Sequence, residues 1–166
     1  MSAIGMQRTH KGFTLIEMMI AIVIVAVLTA LAVPSMRGII ARNRVRDAAT
    51  DIFLVLHEAR SEALKRNANI TLRPVTGTDW TSGWHILDPV NAGADLEVHQ
   101  PLLVGSDPAH PQLAMTGPNL ITYQSTGRLS VSTPPSFTVS ASYGSHTSTA
   151  TVQIDPSGRP YITETL

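Results

Sequence analysis

An apolar run from Phe13 to Val33 that holds a single charged residue, Glu17, constrains this 166-residue chain more than any other feature. Its 21 residues reach ~30 Å as a helix, the thickness of a hydrocarbon core. A carboxylate near the start of a membrane-length helix is costly and persists where a partner or a processing step requires it. Upstream stand Arg8, His10 and Lys11 with no acidic residue, so the amino terminus is expected to stay in the cytoplasm and the rest to cross. A cleaved secretory signal would have a shorter apolar core with its small residue after it; here Gly12 stands before it. The plain alternative is a signal anchor with an incidental glutamate.

The residues Gly12-Phe13-Thr14-Leu15-Ile16-Glu17 and the apolar helix behind them resemble the leader of type IV pilins and type II secretion pseudopilins. That resemblance implies that a prepilin peptidase cuts after Gly12 and that Phe13 becomes a methylated first residue. It also makes Glu17 the fifth residue of the mature chain and places a helix-disturbing proline, Pro34, at the twenty-second. In a filament the helix leaves lipid for a protein core, where a buried carboxylate needs an opposite charge. A neighbour's new terminal ammonium supplies it, so Glu17 reads as an assembly contact and not as a catalytic acid.

Pro34 removes a backbone donor and is expected to kink or locally melt the helix without ending the pattern. Beyond it Val45, Ala48, Ala49, Ile52, Leu56, Ala59 and Ala63 recur at steps of three and four, an amphipathic continuation to about Arg66 with Asn67 as its stop. Arg37, Arg42, Arg44 and Arg46 have no interleaved aromatic and read as a juxtamembrane face or a subunit contact.

From Asn69 onward Thr, Ser, Gly and Pro separate short apolar alternations, which reads as β structure. Expected strands are Ile70 to Val75, Trp84 to Leu87, Leu102 to Val104, Leu120 to Gln124, Ser136 to Ser142, Ala150 to Ile154 and Tyr161 to Thr163. Turns are expected at Thr81-Ser82-Gly83, Asp88-Pro89, Ser125-Thr126-Gly127 and Asp155 to Gly158. The stretch from Val104 to Pro118, rich in proline, reads as a loop. The expected class is α+β: a long membrane-spanning helix packed by its carboxy-terminal half on an antiparallel, sandwich-like sheet domain. The division is a cleaved leader at 1–12, a long helix at 13–67 with 13–33 transmembrane, and a β-rich domain at 68–166 lying in the periplasm.

The segment Ala59 to Asn67, then Trp80 and Gly83-Trp84, Gly127-Arg128 and Asp155 through Arg159 are similar to the FimT/GspH group of minor pilins and pseudopilins. This resemblance implies a filament subunit that initiates or caps a type IV pilus. The equivalent minor pseudopilin of a type II secretion system is the first alternative. Its implied partners are the prepilin peptidase, other minor and major pilins or pseudopilins, and the bacterial inner membrane before assembly. A DNA-binding receptor at a pilus tip is the second alternative, because relatives active in DNA uptake are associated with a Gly-Arg-x-Arg motif. This chain has Gly158-Arg159-Pro160-Tyr161, without the second arginine.

From Ala68 onward three arginines (Arg73, Arg128, Arg159) face seven carboxylates, so DNA is disfavoured as a partner. If it binds, Arg128, Arg159 and Tyr161 are the candidates. Phosphate-binding, nucleophile-elbow and zinc-protease motifs are absent, and His85, His99, His110 and His146 lack ligand spacing and read as exposed loop residues. Asp88, Asp95 and Glu97 match no calcium loop. No catalysis, metal or cofactor is expected. Without cysteine, the exported domain must rely on packing and on its neighbours.

Overall fold

The computed structural model describes residues 12–91, 94–102, 110–131 and 133–165, with side-chain detail for all of these except 31–35 and 164–165. Among them one helix, α1 (Leu15–Arg66), precedes eight strands: β1 (Ile70–Thr76), β2 (Asp79–Leu87), β3 (Asp95–His99), β4 (Gln112–Thr116), β5 (Ile121–Tyr123), β6 (Ser136–Tyr143), β7 (His146–Ile154) and β8 (Pro160–Thr165). The chain divides into two compact units, residues 1–36 and 37–166.

In the first unit Thr14 starts the helix. Its Oγ1 accepts the Glu17 N–H at 3.2 Å and its carbonyl accepts the Met18 N–H at 3.2 Å. A Thr followed three residues later by Glu is the sequence form of a capping box. The one hydroxyl in the following turns, Thr29, donates to the Val25 carbonyl at 2.7 Å, so the apolar stretch leaves no side-chain donor idle. The large apolar side chains from Phe13 to Leu28 are exposed. Helical backbone continues through Pro34, which therefore does not melt it. Among the described residues no helix is long and apolar enough to cross a membrane. The side chains of Leu31, Ala32 and Val33, the end of the span expected at 13–33, lie outside the described set. From Leu15 to Ala30 a helix reaches only ~24 Å.

In the second unit the helix buries one stripe, Ala41, Val45, Ala48, Ala49, Ile52, Val55, Leu56, Ala59 and Ala63, against both sheets. Ile52 and Leu56, fully buried, contribute about 1.5–3 kcal/mol each. The helix ends in a Schellman motif. Asn67 takes φ 49°, its N–H bonds to the Leu64 carbonyl at 3.4 Å, and the Ala68 N–H reaches the Ala63 carbonyl at 3.2 Å.

The strands form two four-stranded antiparallel sheets, ordered β3-β2-β1-β5 and β4-β6-β7-β8. Trp80 of the first sheet meets Phe137 of the second edge to face at 4.8 Å, and its Nε1 donates to the Pro118 carbonyl at 2.8 Å. The α+β class is therefore that of a helix packed on antiparallel sheets sharing one core.

Three expectations need correction. The triplet Thr81-Ser82-Gly83 lies inside β2 and is not a turn; the β1–β2 turn is Gly77-Thr78. Its turn-like composition has another cause. Asp79 Oδ1 accepts the Thr81 N–H and hydroxyl at 2.9 and 2.6 Å, and at Gly83 (φ 88°) a Cβ would lie 2.2 Å from the His99 carbonyl. The segment read as a loop contains β4, whose alternation buries Leu113 and Met115; residues 103–109 lie outside the described set. Of the strand expected at Leu102 to Val104, Leu102 lies outside any strand, packing against the core and donating its N–H to the Thr81 carbonyl at 2.9 Å, while residues 103–104 lie outside the described set; a charged edge strand that was not expected, β3, precedes it.

Candidate functional site

The amino-terminal candidates lie on exposed ground. Phe13 is 79% exposed, Glu17 is exposed, and a Cβ at Gly12 would meet no atom within 4 Å. Arg8, His10 and Lys11 lie outside the described residues, as does the side chain of Pro34. The Glu17 carboxylate takes no part in the cap; Thr14 Oγ1 caps the helix by accepting the Glu17 backbone N–H.

In the second unit the fold joins the two Gly-Arg pairs. After β5, Gln124 donates its N–H to the Arg128 carbonyl and Gly127 donates to Gln124, both at 2.8 Å. After β7, Asp155 donates to Arg159 and Gly158 to Asp155, both at 2.9 Å. Each turn ends on a glycine with positive φ, Gly127 at 73° and Gly158 at 86°, followed by the arginine. Both are thus tight turns closed by a glycine bulge. They abut: a Cβ at Gly158 would stand 2.3 Å from the Gly127 carbonyl oxygen and 3.3 Å from Arg128 Cα.

Helix α1 adds a third arginine that sequence reasoning missed. Arg60 Nη2 donates to the Ser157 carbonyl at 3.2 Å, and the Cβ position of Gly127 is 3.2 Å from Arg60 Nε. In the sequence Arg60 looks like any polar residue opposite the apolar stripe, and nothing local marks its partner 97 residues away. Tyr123, buried beside it, has its phenol pushed up by burial, with the Arg60 cation opposing and Asp155 adding. Asp155 orders the second turn. Its Oδ1 accepts the Ser157 N–H at 2.8 Å, the Ser157 hydroxyl at 2.6 Å and the Arg159 N–H at 2.9 Å. The Ser157 hydroxyl, then the Arg159 N–H, hold this carboxyl below the usual carboxylate range.

Arg128 and Arg159 are exposed. Tyr161, 46% exposed, donates its hydroxyl to Gln153 Oε1 and helps line a groove of about 350 Å³ with Pro134, Pro135 and Pro156. The arrangement can offer guanidinium groups to an anion, but an ionised carboxylate stands within the same turn.

The remaining polar candidates are absorbed by the fold. Of the histidines read as loop residues, His85 lies on β2 with its Nδ1 2.6 Å from Asp95 Oδ2, His99 ends β3 and His146 begins β7. Asp88 accepts the Val90 N–H at 2.8 Å, an Asx turn. Among the described residues no three His, Cys, Asp or Glu side chains gather as metal ligands. Trp84 is a core residue, 1% exposed.

The family model described as type II transport protein GspH matches residues 48–158, and the one described as the prokaryotic N-terminal methylation motif matches residues 7–33. A fimbrial protein of Pseudomonas aeruginosa is 30% identical over 77 residues, 46% of this chain and 50% of its own length. Fimbrial protein Q of Moraxella bovis is 32% identical over 93 residues, 51% and 59% respectively. The chain thus spans about half the length of the curated relatives it matches. The crystal structure of the Pseudomonas aeruginosa type IV minor pilin FimU aligns with a TM-score of 0.59 and 22% identity, covering 73% of this chain and 89% of that one, a likeness of fold.

Proposed function

We propose that this chain, which belongs to the family of the type II transport protein GspH, is a minor pilin of a type IV pilus that helps to initiate or cap the filament. The family is one of structural subunits and not of enzymes. The carrying observation is one coincidence: a methylation motif at residues 7–33 in a chain whose fold aligns with that of a type IV minor pilin.

The physical chemistry supports a subunit that changes surroundings. The bare apolar side chains from Phe13 to Leu28 need either lipid or the helices of neighbours. In this reading residues 13–33 hold the precursor in the inner membrane, the amino terminus is cytoplasmic, and the β-rich domain is periplasmic. The prepilin peptidase cuts after Gly12, methylates Phe13, and leaves Glu17 to pair with the terminal ammonium of a neighbouring pilin.

The equivalent pseudopilin role is favoured by the description of the matched family model, whereas the fimbrial relatives and FimU favour the pilus. Immunoblots of sheared surface filaments decide between them. The chain is expected in that fraction at low stoichiometry, and its deletion is expected to lower piliation. A deletion strain with normal pili and impaired protein secretion would make the pseudopilin reading primary. A DNA-receptor role has one observation in its favour, the abutting Gly-Arg turns. Against it stand Asp155 in the same turn and Tyr161 where a second arginine is wanted.

A further inference from the structure

The basic stretch Arg37, Arg42, Arg44 and Arg46 has no aromatic of its own and no acidic residue within it, but the fold supplies an aromatic from the β6–β7 hairpin. The Arg37 guanidinium carbon lies 5.4 Å from the centroid of the Tyr143 ring. The hairpin tip rests directly on the helix there: a Cβ at Gly144 would stand 3.2 Å from Arg37 Nη1, and a Cβ at Gly38 would stand 3.3 Å from His146 Nδ1. Packed this way, Arg37 Nε is buried without a hydrogen-bond partner, and among the described residues no carboxylate pairs with the guanidinium. Nη1 and Nη2 are not enclosed as Nε is, and they present the planar edge that pairs with an oxyanion.

Which oxyanion this is follows from where Arg37 falls in the chain. It is the first charged residue after Glu17 and stands four residues beyond Val33, ~6 Å of helical rise past the apolar run. The headgroup layer on each side of a hydrocarbon core is about 5–7 Å deep. A chain anchored by residues 13–33 therefore carries Arg37 into that layer, whereas Arg42, ~14 Å past Val33, reaches water. The surroundings of Arg37 suit the same interface. Ile39 and Ile40 beside it are 52% and 41% exposed, and Tyr143 presents an apolar ring with a polar tip, as tyrosines do at the level of headgroups. Exposed apolar neighbours fit a lipid boundary better than they fit a site for an anion in bulk water.

We propose that Arg37, held on Tyr143 by the β6–β7 hairpin, is a binding site for the phosphate of an anionic phospholipid headgroup at the membrane surface. The Nη edge takes the phosphate oxygens, and the hairpin tip, with Gly144, Ser145 and His146 exposed, borders the site. The site rests on the reading that residues 13–33 anchor the chain in a membrane, and not on the choice between pilus and secretion system.

The test uses the full chain in phosphate-free maltoside micelles doped with phosphatidylglycerol or with phosphatidylcholine. NMR follows the Arg37 Nε–H and the Gly144 amide. Phosphatidylglycerol is expected to shift both and to half-saturate at about fivefold lower mole fraction than phosphatidylcholine, the weight of one arginine at an anionic surface. Arg37→Gln, its fold checked by circular dichroism, is expected to abolish that preference at the Gly144 amide, Tyr143→Leu to weaken it, and Arg42→Gln to leave it unchanged. Equal response of the wild-type chain to both lipids, or the same loss in Arg42→Gln, overturns the site, because the attraction is then absent or diffuse. If millimolar inorganic phosphate or an acetyl-Gly-Glu-Gly-amide peptide reproduces the shifts in undoped micelles, the lipid is overturned as occupant, by a soluble anion or by a neighbour's carboxylate respectively. Flotation with vesicles separates the two readings. A wild-type chain that fails to float overturns the membrane anchor and the lipid site together. One that floats and keeps the lipid response while missing from surface filaments overturns the minor-pilin reading alone.

Discussion

At the scale of single residues the structure separates functional effects from folding effects. Among the described residues a Cβ at Gly12 meets nothing within 4 Å, so a bulky replacement disturbs no packing there. Gly12→Val is expected to leave uncleaved precursor in the membrane, seen by mass spectrometry as a chain that keeps its first twelve residues. At Glu17 the cap bond uses the backbone N–H, so Glu17→Ala preserves it and removes only the carboxylate. Membrane insertion should be equal or better, while recovery in sheared filaments should fall at least about tenfold, as when one partner of a buried ion pair is lost. Glu58 carries a pH signature. Its folded value lies above the ordinary 4.5, so the native state holds the proton longer than the unfolded chain does, and its contribution to stability declines as pH rises through that window. Glu58→Gln is therefore expected to flatten the fall in thermal stability above pH ~4.5 and to raise stability at pH 7. The side chain is largely in solvent, so the gain should stay below ~1 kcal/mol.

At the scale of elements the two Gly-Arg turns behave as one packed unit, and their glycines are not equivalent to glycines elsewhere. Gly158→Ala adds a methyl 2.3 Å from the Gly127 carbonyl at a φ of 86°. Backbone is the obstacle, so the turns must part; a loss of about 2–4 kcal/mol is expected. Gly77→Ala, also at positive φ but with nothing within 4 Å, should cost only about 1 kcal/mol. Urea denaturation of the two variants checks the contrast. Equal losses would mean that the contact between the turns contributes nothing. The helix is closed by the same economy of local geometry, with Asn67 in the left-handed region where its short polar side chain is tolerated.

At the scale of the whole molecule charge opposes the DNA reading even though the fold gathers arginines. The carboxylates outnumber the arginines beyond Ala68 by seven to three, and nucleic-acid affinity depends on releasing counterions with positive groups. Fluorescence anisotropy of the full chain in micelles with duplex DNA is expected to show weak or no binding at low salt and none at moderate salt. Tight binding abolished by Arg159→Ala would make the receptor reading primary, with Arg128 and Arg60 as its neighbours in the fold.

The apolar run, the position of Glu17, the stripe from Val45 to Ala63 and the Asn67 stop were legible in the sequence because helices are written in local, short-period patterns. Strands were legible where two-residue alternation ran unbroken, as in β6 and β7, and illegible where charge or proline masked it, as in β3 and β4. Other features were decided only by contacts distant in the chain. Thr81-Ser82-Gly83 became strand because Gly83 must admit the backbone at His99. Gly127 met Gly158 across 31 residues, and Arg60 met Ser157 across 97. Glu58 and Glu97 came to line one groove because a helix face closed on a sheet edge. Periodicity reports which face of an element is buried; which two faces meet, and hence which polar groups share a site, is set by packing between elements.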